Sequence, residues 1–332
     1  MKRWSDEQMK KQILHFLREN GGFVSGEELS EKMGVSRTAV WKYVKALREE
    51  GYGIESVTNR GYRLVSRPDI MTEEEIASGL NTKFLAKKIY CFKTIDSTNE
   101  EAKRQAMRGA PNGSLFVAER QTGGKGRLGR RWDSPAGEGL WFSVLLRPNV
   151  LPEQVSALTL LAGLATCEAA RALTGCDIKI KWPNDLVSGN KKLCGILTEM
   201  TAEMERVDFV VIGTGVNVNN TEFPEELQKK ATSLKVECGR SVSRSELLQA
   251  VLERMEYWLF RLYEQGTEIL LPAYRPLCIS LNREVGFTRN GKPETGTAVD
   301  LTPEGELMIL CHDGAVVPVC SGEVTVQGIY GQ

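Results

Sequence analysis

The stretch Gln121–Trp132, QTGGKGRLGRRW, constrains this chain more than any other feature of its sequence. It places four glycines and four cations within twelve residues: Gly123, Gly124, Gly126, Gly129, Lys125, Arg127, Arg130 and Arg131. Glycines let the backbone turn sharply, and successive N–H groups in such a turn form an anion-binding nest. The cations add charge-assisted hydrogen bonds to phosphate or carboxylate oxygens. The pattern predicts an anion-binding loop, with a flexible basic surface loop as the alternative.

The same stretch contains a deceptive pattern. Gly124–Gly129 matches G-x-G-x-x-G, which binds dinucleotides only between a strand and a helix of a βαβ unit. A strand is expected at Leu115–Ala118, but Trp132–Gly137 reads as a turn and starts no helix. A P-loop is excluded because no Gly-Lys-Ser/Thr closes the motif. Neither nucleotide-binding motif is therefore predicted here.

Charge is distributed unevenly along the chain. The 332 residues have a formal net charge of zero and 41% apolar content, as in a soluble protein of more than one domain. Residues 1–65 nevertheless hold twelve Lys and Arg against nine Asp and Glu, and residues 36–65 hold six against three. A local basic excess favours contact with phosphates in the N-terminal region.

Cysteine and histidine usage narrows the chemistry. The eight cysteines contain no C-x-x-C pair, which favours reduced thiols over disulfides or a zinc site. Only two histidines, His15 and His312, are present, so imidazole catalysis is not expected. The polar N-terminus lacks a signal-peptide core, and the apolar run Val155–Cys167 is too short to cross a bilayer. We expect a cytoplasmic protein without a membrane segment.

The first 66 residues have the pattern of a winged helix-turn-helix. The first helix is predicted at residues 6–19. The second begins at the cap Ser25, where Glu28 forms a capping box, and it ends at Gly34. The third is predicted at Arg37–Glu50, and Gly53–Ser66 has the pattern of a hairpin. In such domains the last helix enters a major groove and the hairpin meets backbone phosphates. The expected DNA-binding residues are Ser36, Arg37, Thr38, Trp41, Lys42, Lys45 and Arg60. The alternative is a small helical protein-interaction module with a solvated charged face.

Strands and helices alternate in the middle of the chain. Ser97-Thr98-Asn99 precede a predicted helix, where they either cap it or offer hydroxyls to a polar ligand. We expect the stretch Ile178–Val187, which contains a turn at Trp182–Asp185, to return through a second turn at Ser188–Asn190. Lys181, Asp185 and Lys192 then face one pocket, although a single lysine on a strand is usually only solvated. Other elements are predicted at Ile89–Lys93, Glu100–Arg108, Leu140–Leu146, Glu153–Leu173, Lys191–Thr198, Val207–Ile212 and Glu246–Gln265.

The C-terminal part changes character. From Arg283 onward, short strands alternate with turns at Asn290-Gly291, Pro303–Gly305, His312–Gly314 and Ser321-Gly322. This spacing predicts a small antiparallel barrel that covers a sheet edge or closes over a ligand. Its sequence indicates no chemistry of its own.

Five motifs occur in one order along the chain: Ser97-Thr98-Asn99, Gln121–Trp132, Lys181–Asp185, Lys192–Leu197 and Gly213–Asn217. The set closely resembles the bifunctional biotin–protein ligase and biotin operon repressor family of bacteria. The resemblance implies an α+β fold of three domains. These are a winged helix-turn-helix at residues 1–66, a mixed α/β ligase domain with a largely antiparallel sheet at 70–275, and a small SH3-like β-barrel at 276–332.

The resemblance also implies the reaction and its residues. Biotin and ATP form biotinyl-5′-adenylate with Mg²⁺ assistance, and biotin then passes to a lysine of a biotin carboxyl carrier domain. The implied catalytic residues are Lys192 and Arg127. Biotin is expected at Ser97, Thr98, Asn99, Gln121, Lys125, Gly126, Arg127, Lys192 and Gly195. ATP is expected at Arg127, Arg130, Trp132, Lys181, Asn184, Asp185 and Asn217, with Mg²⁺ near Asp185.

The resemblance also implies two macromolecular partners, a second copy of the chain and operator DNA. The adenylate-bound form is expected to dimerise and to bind operator DNA. Two alternative functions stay open: a biotin- or nucleotide-sensing transcription factor without turnover, and a lipoate or octanoate ligase.

The chain departs from the family pattern at two positions. Lys125 stands where the family loop usually has arginine, and lysine and arginine are not interchangeable in a bidentate contact. Gln327 stands where the family offers an arginine to the nucleotide, so no role is assigned to it.

Overall fold

The computed structural model describes residues 5–203, 206–320 and 324–330. The chain divides into two compact units, Met1–Ile70 and Met71–Gln332. The predicted winged helix-turn-helix is the first unit, and the predicted ligase and C-terminal domains together make the second. The boundary at 275/276 within the second unit stays a prediction.

The first unit contains three helices and a hairpin, as predicted. They are α1 (Asp6–Asn20), α2 (Gly26–Met33), α3 (Arg37–Glu49), β1 (Gly53–Val57) and β2 (Gly61–Ser66). Gly21 and Gly34 end the first two helices with φ angles of 59° and 64°, a left-handed conformation that favours glycine. Apolar side chains from all three helices and from β1 form a separate core that includes Leu17, Leu29 and Val44.

Helix capping in this unit differs in one detail from the sequence prediction. The Ser25 hydroxyl accepts from the Glu28 N–H at 3.0 Å, as predicted. The Glu28 carboxylate does not complete a capping box, because it accepts from Lys32 Nζ at 2.8 Å. A complete capping box lies instead at Ser5 and Gln8 of α1.

A seven-stranded sheet forms the centre of the second unit. Its order is β3-β4-β5-β9-β8-β7-β6, and every neighbouring pair except β3–β4 is antiparallel, as the predicted fold class requires. The strands are β3 (Ile89–Phe92), β4 (Leu115–Ala118), β5 (Leu140–Leu146), β6 (Ile178–Lys181), β7 (Asp185–Ser188), β8 (Lys191–Glu203) and β9 (Arg206–Val216). The α-helices of the second unit are α4 (Glu73–Ala77), α5 (Thr98–Met107), α6 (Val155–Thr174), α7 (Leu234–Cys238), α8 (Arg244–Gln265) and α9 (Leu271–Tyr274).

Helices α6 and α8 pack together beside this sheet and supply much of the core. Among the described residues, the stretch Pro152–Thr174 has the length and hydropathy of a membrane span, but 72% of its apolar 18-residue window is buried inside the protein. That burial is typical of a core helix. The eight cysteines, all within the described residues, form no disulfide.

The stretch Ile178–Val187 forms two strands, β6 and β7, which pair as a hairpin with Lys181 opposite Asp185. The turn between them is the Trp182–Asp185 turn expected from the sequence, in which proline, asparagine and aspartate are typical turn residues. Trp182 is 1% exposed, and its indole N–H donates to the carbonyl of Gly305 at 3.0 Å. The contact with Gly305, 123 residues away, was not predicted.

The C-terminal part forms a five-stranded antiparallel sheet of order β13-β12-β11-β10-β14. The strands are β10 (Glu284–Arg289), β11 (Lys292–Leu301), β12 (Leu307–Cys311), β13 (Val316–Val319) and β14 (Thr325–Val326). The small antiparallel domain is therefore confirmed. The predicted turn at Ser321-Gly322 lies outside the described residues.

The buried carboxylate of Glu256 joins α8 to the segment that leads into β3. It accepts the backbone N–H groups of Lys83, Phe84 and Leu85, the last two at 2.8 and 2.9 Å. We expect Glu256→Ala to lower the free energy of unfolding by about 2–4 kcal/mol, because it leaves these donors without their charged acceptor. Thermal melting checks this, with the exposed Glu264→Ala on the same helix as the control. Equal melting temperatures for both variants would contradict the assignment.

Candidate active site

One cavity of about 560 Å³ collects the predicted ligand-binding residues. It lies in the second unit, at the ends of β6–β9 and beneath the glycine-rich loop. All fifteen residues predicted for biotin and ATP line it: Ser97, Thr98, Asn99, Gln121, Lys125, Gly126, Arg127, Arg130, Trp132, Lys181, Asn184, Asp185, Lys192, Gly195 and Asn217. Residues up to 120 positions apart in the sequence therefore share one site.

The glycine-rich loop is a small hairpin. Lys125 and Arg131 form an antiparallel bridge, and Arg127–Gly129 make one 3-10 turn at the tip. Leu128 at the tip has a φ of 56° and is 74% exposed, so an apolar side chain is held in solvent in a conformation that L residues rarely adopt. Such a tip has few contacts to lose, which suits a segment that rearranges around a ligand.

Two of the glycine N–H groups of this loop have acceptors inside the protein. The N–H of Gly123 donates to the carbonyl of Asp96 at 2.8 Å, and the N–H of Gly126 donates to that of Arg130 at 2.7 Å. Anion binding by the other N–H groups of the loop stays a prediction.

Two glycines form a flat floor for the indole of Trp132. Gly195 on β8 and Gly215 on β9 are paired in register. A Cβ on Gly215 would lie 2.6 Å from the Trp132 indole nitrogen, and one on Gly195 would lie 3.0 Å from its six-membered ring. Only glycine at both positions lets the aromatic ring lie against the sheet. This explains Gly195 as a steric requirement of the site.

A polar network lines the opposite end of the cavity. Gln121 Oε1 accepts from the N–H of Thr98 at 2.8 Å, and the Ser143 hydroxyl lies 2.7 Å from Thr98 Oγ1 and 2.6 Å from Asn99 Oδ1. Asn99 Nδ2 donates to Glu199 at 2.7 Å. Ser97 occupies the N-cap position of α5 but makes no side-chain capping bond, so the capping role considered for it is not observed.

Three cationic side chains of the site each contact an acceptor on the protein. Arg127 Nη1 donates to Asn184 Oδ1 at 3.0 Å, and Lys192 Nζ lies 2.7 Å from Asp185 Oδ1. Lys125 Nζ donates to Glu100 at 2.6 Å. Hydrogen bonds from Lys103 and then from Lys125 hold the pKa of the Glu100 carboxyl below its usual value. Each cation is thus placed by the protein before any ligand arrives.

Several residues of the cavity were missed by sequence reasoning. Asn220, Glu222 and Phe223 follow the last recognised motif, and Thr214 lies inside it. Trp132 Nε1, Thr214 Oγ1 and Asn220 Oδ1 are buried with no hydrogen-bond partner among the described residues. Buried polar atoms normally have partners, so these three atoms point to a ligand. Three of the four residues in Asn217–Asn220 are asparagines, and this local pattern could have indicated that Asn220 belongs to the site.

Tyr330 is the missed residue with the least sequence signal. It lies at the far end of the chain, yet its hydroxyl donates to Asp185 Oδ2 at 2.8 Å and its ring lines the cavity. Burial and then the charge of Asp185 raise the pKa of Tyr330, so the hydroxyl stays protonated and acts as a donor. No local pattern reveals a contact over 145 residues.

The predicted DNA-binding residues are all exposed within the first unit: Ser36, Arg37, Thr38, Trp41, Lys42, Lys45 and Arg60. The Ser36 hydroxyl caps α3 by accepting from the Ala39 N–H at 3.2 Å. Arg37 is paired with Glu27 at 2.7 Å. Arg48, on the same helix, donates to the carbonyl of Ile54 and holds the hairpin to α3. The unit therefore presents an exposed basic face on a helix next to a hairpin, as DNA recognition needs.

Three families of known proteins match separate parts of the chain. The biotin/lipoate A/B protein ligase family matches residues 91–217, a helix-turn-helix domain matches residues 10–63, and the biotin protein ligase C-terminal domain matches residues 280–326.

Whole proteins resemble the chain over most of its length. The bifunctional ligase/repressor BirA of Bacillus subtilis is 41% identical over 92% of this chain and 95% of that protein. The Escherichia coli protein of the same name is 30% identical over 93% and 94%. A biotin protein ligase structure from Aquifex aeolicus, in complex with biotin and ATP, superposes with a TM-score of 0.64 at 34% identity, covering 73% of this chain and 99% of that one. The chain belongs to the bifunctional biotin–protein ligase/repressor family.

Proposed function

We propose that the cavity binds biotin and ATP together and joins them as biotinyl-5′-adenylate. A carboxylate oxygen of biotin attacks the α-phosphorus of ATP, the bond to the β-phosphate oxygen breaks, and pyrophosphate leaves. The amine of a lysine on a biotin carboxyl carrier domain then attacks the acyl carbon, AMP leaves with the bonding electrons, and the amine loses a proton. The observation that carries this proposal is the gathering of all fifteen ligand-binding candidates around one cavity.

Positively charged side chains allow the biotin carboxylate to react with the triphosphate of ATP. A carboxylate and a triphosphate repel each other, and fixed positive groups between them reduce that repulsion and stabilise the charge that grows on the phosphoryl oxygens. Arg127, held by Asn184, contacts the carboxylate and the α-phosphate in this proposal. Lys192, held by Asp185, lies at the reacting junction. Together with positioning, these residues supply catalysis without a covalent enzyme intermediate.

The remaining residues divide between the two ligands. The network of Ser97, Thr98, Asn99 and Gln121 holds the polar ring system of biotin, while Lys125, Gly126 and Gly195 enclose its acyl chain and carboxylate. Arg130, Trp132, Lys181, Asn184, Asp185 and Asn217 serve ATP. Buried Asn217 supports this, because its amide is fixed by a hydrogen bond to the carbonyl of Thr232 at 3.0 Å.

Mg²⁺ enters the site with ATP in this proposal. The described residues contain no group of three or more His, Cys, Asp or Glu side chains able to hold a metal. The lack of such a group is compatible with Mg²⁺, because this ion is usually held by one or two carboxylates and by the phosphates of the substrate. The ion would lie near Asp185, the buried carboxylate of the cavity, and would be held mainly by the phosphates of ATP. The ion would neutralise charge on the triphosphate.

We further propose that the adenylate regulates DNA binding. Its formation orders the glycine-rich loop and favours a homodimer, which presents two winged helices to a palindromic operator. The protein acts in the cytoplasm, where ATP, DNA and the carrier protein meet. The exposed basic face of α3 supports this part of the proposal.

The competing function is a sensor that binds biotin or a nucleotide without turnover. Biotin-dependent exchange of labelled pyrophosphate into ATP separates the two, because exchange requires reversible adenylate formation. We expect exchange with biotin and none with lipoate or octanoate, and transfer of biotin to an added carrier domain. Absence of exchange, with biotin binding intact, would support the sensor.

We expect Arg127→Gly to retain biotin binding but to release the adenylate, since its guanidinium no longer holds the acyl-phosphate. The free adenylate then biotinylates lysines at random, and unselective labelling of an added bystander protein such as albumin rises by about tenfold or more, the equivalent of one lost charge-assisted contact. Blotting for biotin on the carrier and the bystander measures this. Arg120→Gly, an exposed arginine outside the cavity, is the control. Unchanged acceptor selectivity in Arg127→Gly would contradict the role.

Removal of residues 1–65 tests the division of labour between the two units. We expect operator binding to be lost while ligation survives at least in part, because the first unit has its own core. In the full chain, Lys42→Ala with Lys45→Ala should weaken operator binding and reduce the slope of log K against log salt by about 2, one for each phosphate contact. Specific operator binding by the truncated protein, or an unchanged salt slope, would refute this division.

A further inference from the structure

Residues 324–330 reach back to the active-site cavity. Val324, Thr325 and Tyr330 line the cavity, and β14 joins this segment to β10 of the C-terminal sheet. The N–H of Tyr330 donates to the carbonyl of Asn190 at 2.9 Å, in the turn between β7 and β8. The carbonyl of Val324 accepts from Lys181 Nζ at 3.0 Å. This segment is therefore fastened to the strands that carry the proposed ATP-binding residues.

The backbone of Tyr330 is in an unusual conformation. Its φ is 60°, in the left-handed region that residues other than glycine rarely adopt. Such conformations persist where surrounding contacts impose them, and they cluster at functional sites. Here the imposed conformation directs the phenol ring into the cavity, where Lys181 Nζ lies 5.3 Å from its centroid.

The hydroxyl of Tyr330 completes a chain of three polar groups. It donates to Asp185 Oδ2 at 2.8 Å, and Asp185 Oδ1 lies 2.7 Å from Lys192 Nζ. Asp185 is 7% exposed, so water does not substitute readily for either contact. Asp185 therefore accepts a hydrogen bond at one oxygen and forms an ion pair through the other, which has no further hydrogen-bond partner among the described residues. These two contacts restrict rotation of the carboxylate. The ammonium of Lys192, on a flexible four-carbon stem, is placed only as well as the carboxylate that holds it.

We propose that Tyr330 is a positioning residue for adenylate formation: its hydroxyl orients Asp185, and Asp185 places the ammonium of Lys192 at the reacting junction. This inference rests on the role proposed above for Lys192. It gives the C-terminal sheet a part in the chemistry that its sequence did not indicate. A displacement of about 1 Å in such a group is enough to slow a reaction strongly.

The alternative is that Tyr330 only packs the C-terminal segment against the rest of the unit. Tyr330→Phe separates the two, because it removes the hydroxyl and keeps the ring. We expect kcat for biotin-dependent pyrophosphate exchange to fall by about tenfold, with KM for biotin changed by less than about twofold, as for an interaction made only in the transition state. Tyr263→Phe, on the exposed side of α8, is the matched control and should keep wild-type kinetics.

A double-mutant cycle tests the route through Asp185. If Tyr330 acts through this carboxylate, adding Tyr330→Phe to Asp185→Asn slows exchange no further than Asp185→Asn alone. Wild-type kcat in Tyr330→Phe would overturn the proposal, as would multiplication of the two single effects or a change confined to KM. Melting curves are recorded for each variant, and exchange is assayed well below the transition, so that unfolding does not imitate a catalytic loss.

Lys192→Gln distinguishes failure of this inference from failure of the proposed function. If Lys192→Gln abolishes exchange and Tyr330→Phe exchanges at the wild-type rate, only the positioning role of Tyr330 is refuted. If Lys192→Gln itself exchanges at the wild-type rate, the role of Lys192 fails and the inference falls with it. A slow Lys192→Gln variant with a tenfold slower Tyr330→Phe variant supports both.

Discussion

The repulsion between two anions is the constraint on which this site depends. A carboxylate must approach a triphosphate, so positive charge has to be in place beforehand and has to stay in place without its ligands. The structure achieves this by pairing each cation with a separate acceptor: Arg127 with Asn184, Lys192 with Asp185 and Lys125 with Glu100. Preorganised charges of this kind need little reorganisation during the reaction, which is how electrostatic catalysis lowers a barrier.

The same constraint accounts for the shape of the sheet around the cavity. Gly195 and Gly215 lie opposite each other on β8 and β9 and leave room for the Trp132 indole, so that an aromatic wall stands beside Lys192. The turn between β6 and β7 brings Lys181 and Asp185 into register. The C-terminal segment then closes a further wall with Tyr330. The active site therefore depends on packing between parts of the chain that are distant in sequence.

Sequence reasoning succeeded where the signal is local. Apolar periodicity located the long helices, the Ser25 cap located the start of α2, and the motif residues line one cavity. It failed where the partner of a residue is distant in the sequence. The indole of Trp182 donates to Gly305, and the hydroxyl of Tyr330 donates to Asp185, over 123 and 145 residues. Neither partner can be read from the neighbouring residues.

In the proposed mechanism, the cavity is complementary to the acyl-adenylate more than to either substrate. Calorimetric titration of the purified full-length protein with biotin and, separately, with biotinyl-5′-adenylate measures this directly. We expect the adenylate to bind at least about a hundredfold more tightly than biotin, a difference of about 2.7 kcal/mol. Equal affinities for the two ligands, or a protein indifferent to both, would contradict it.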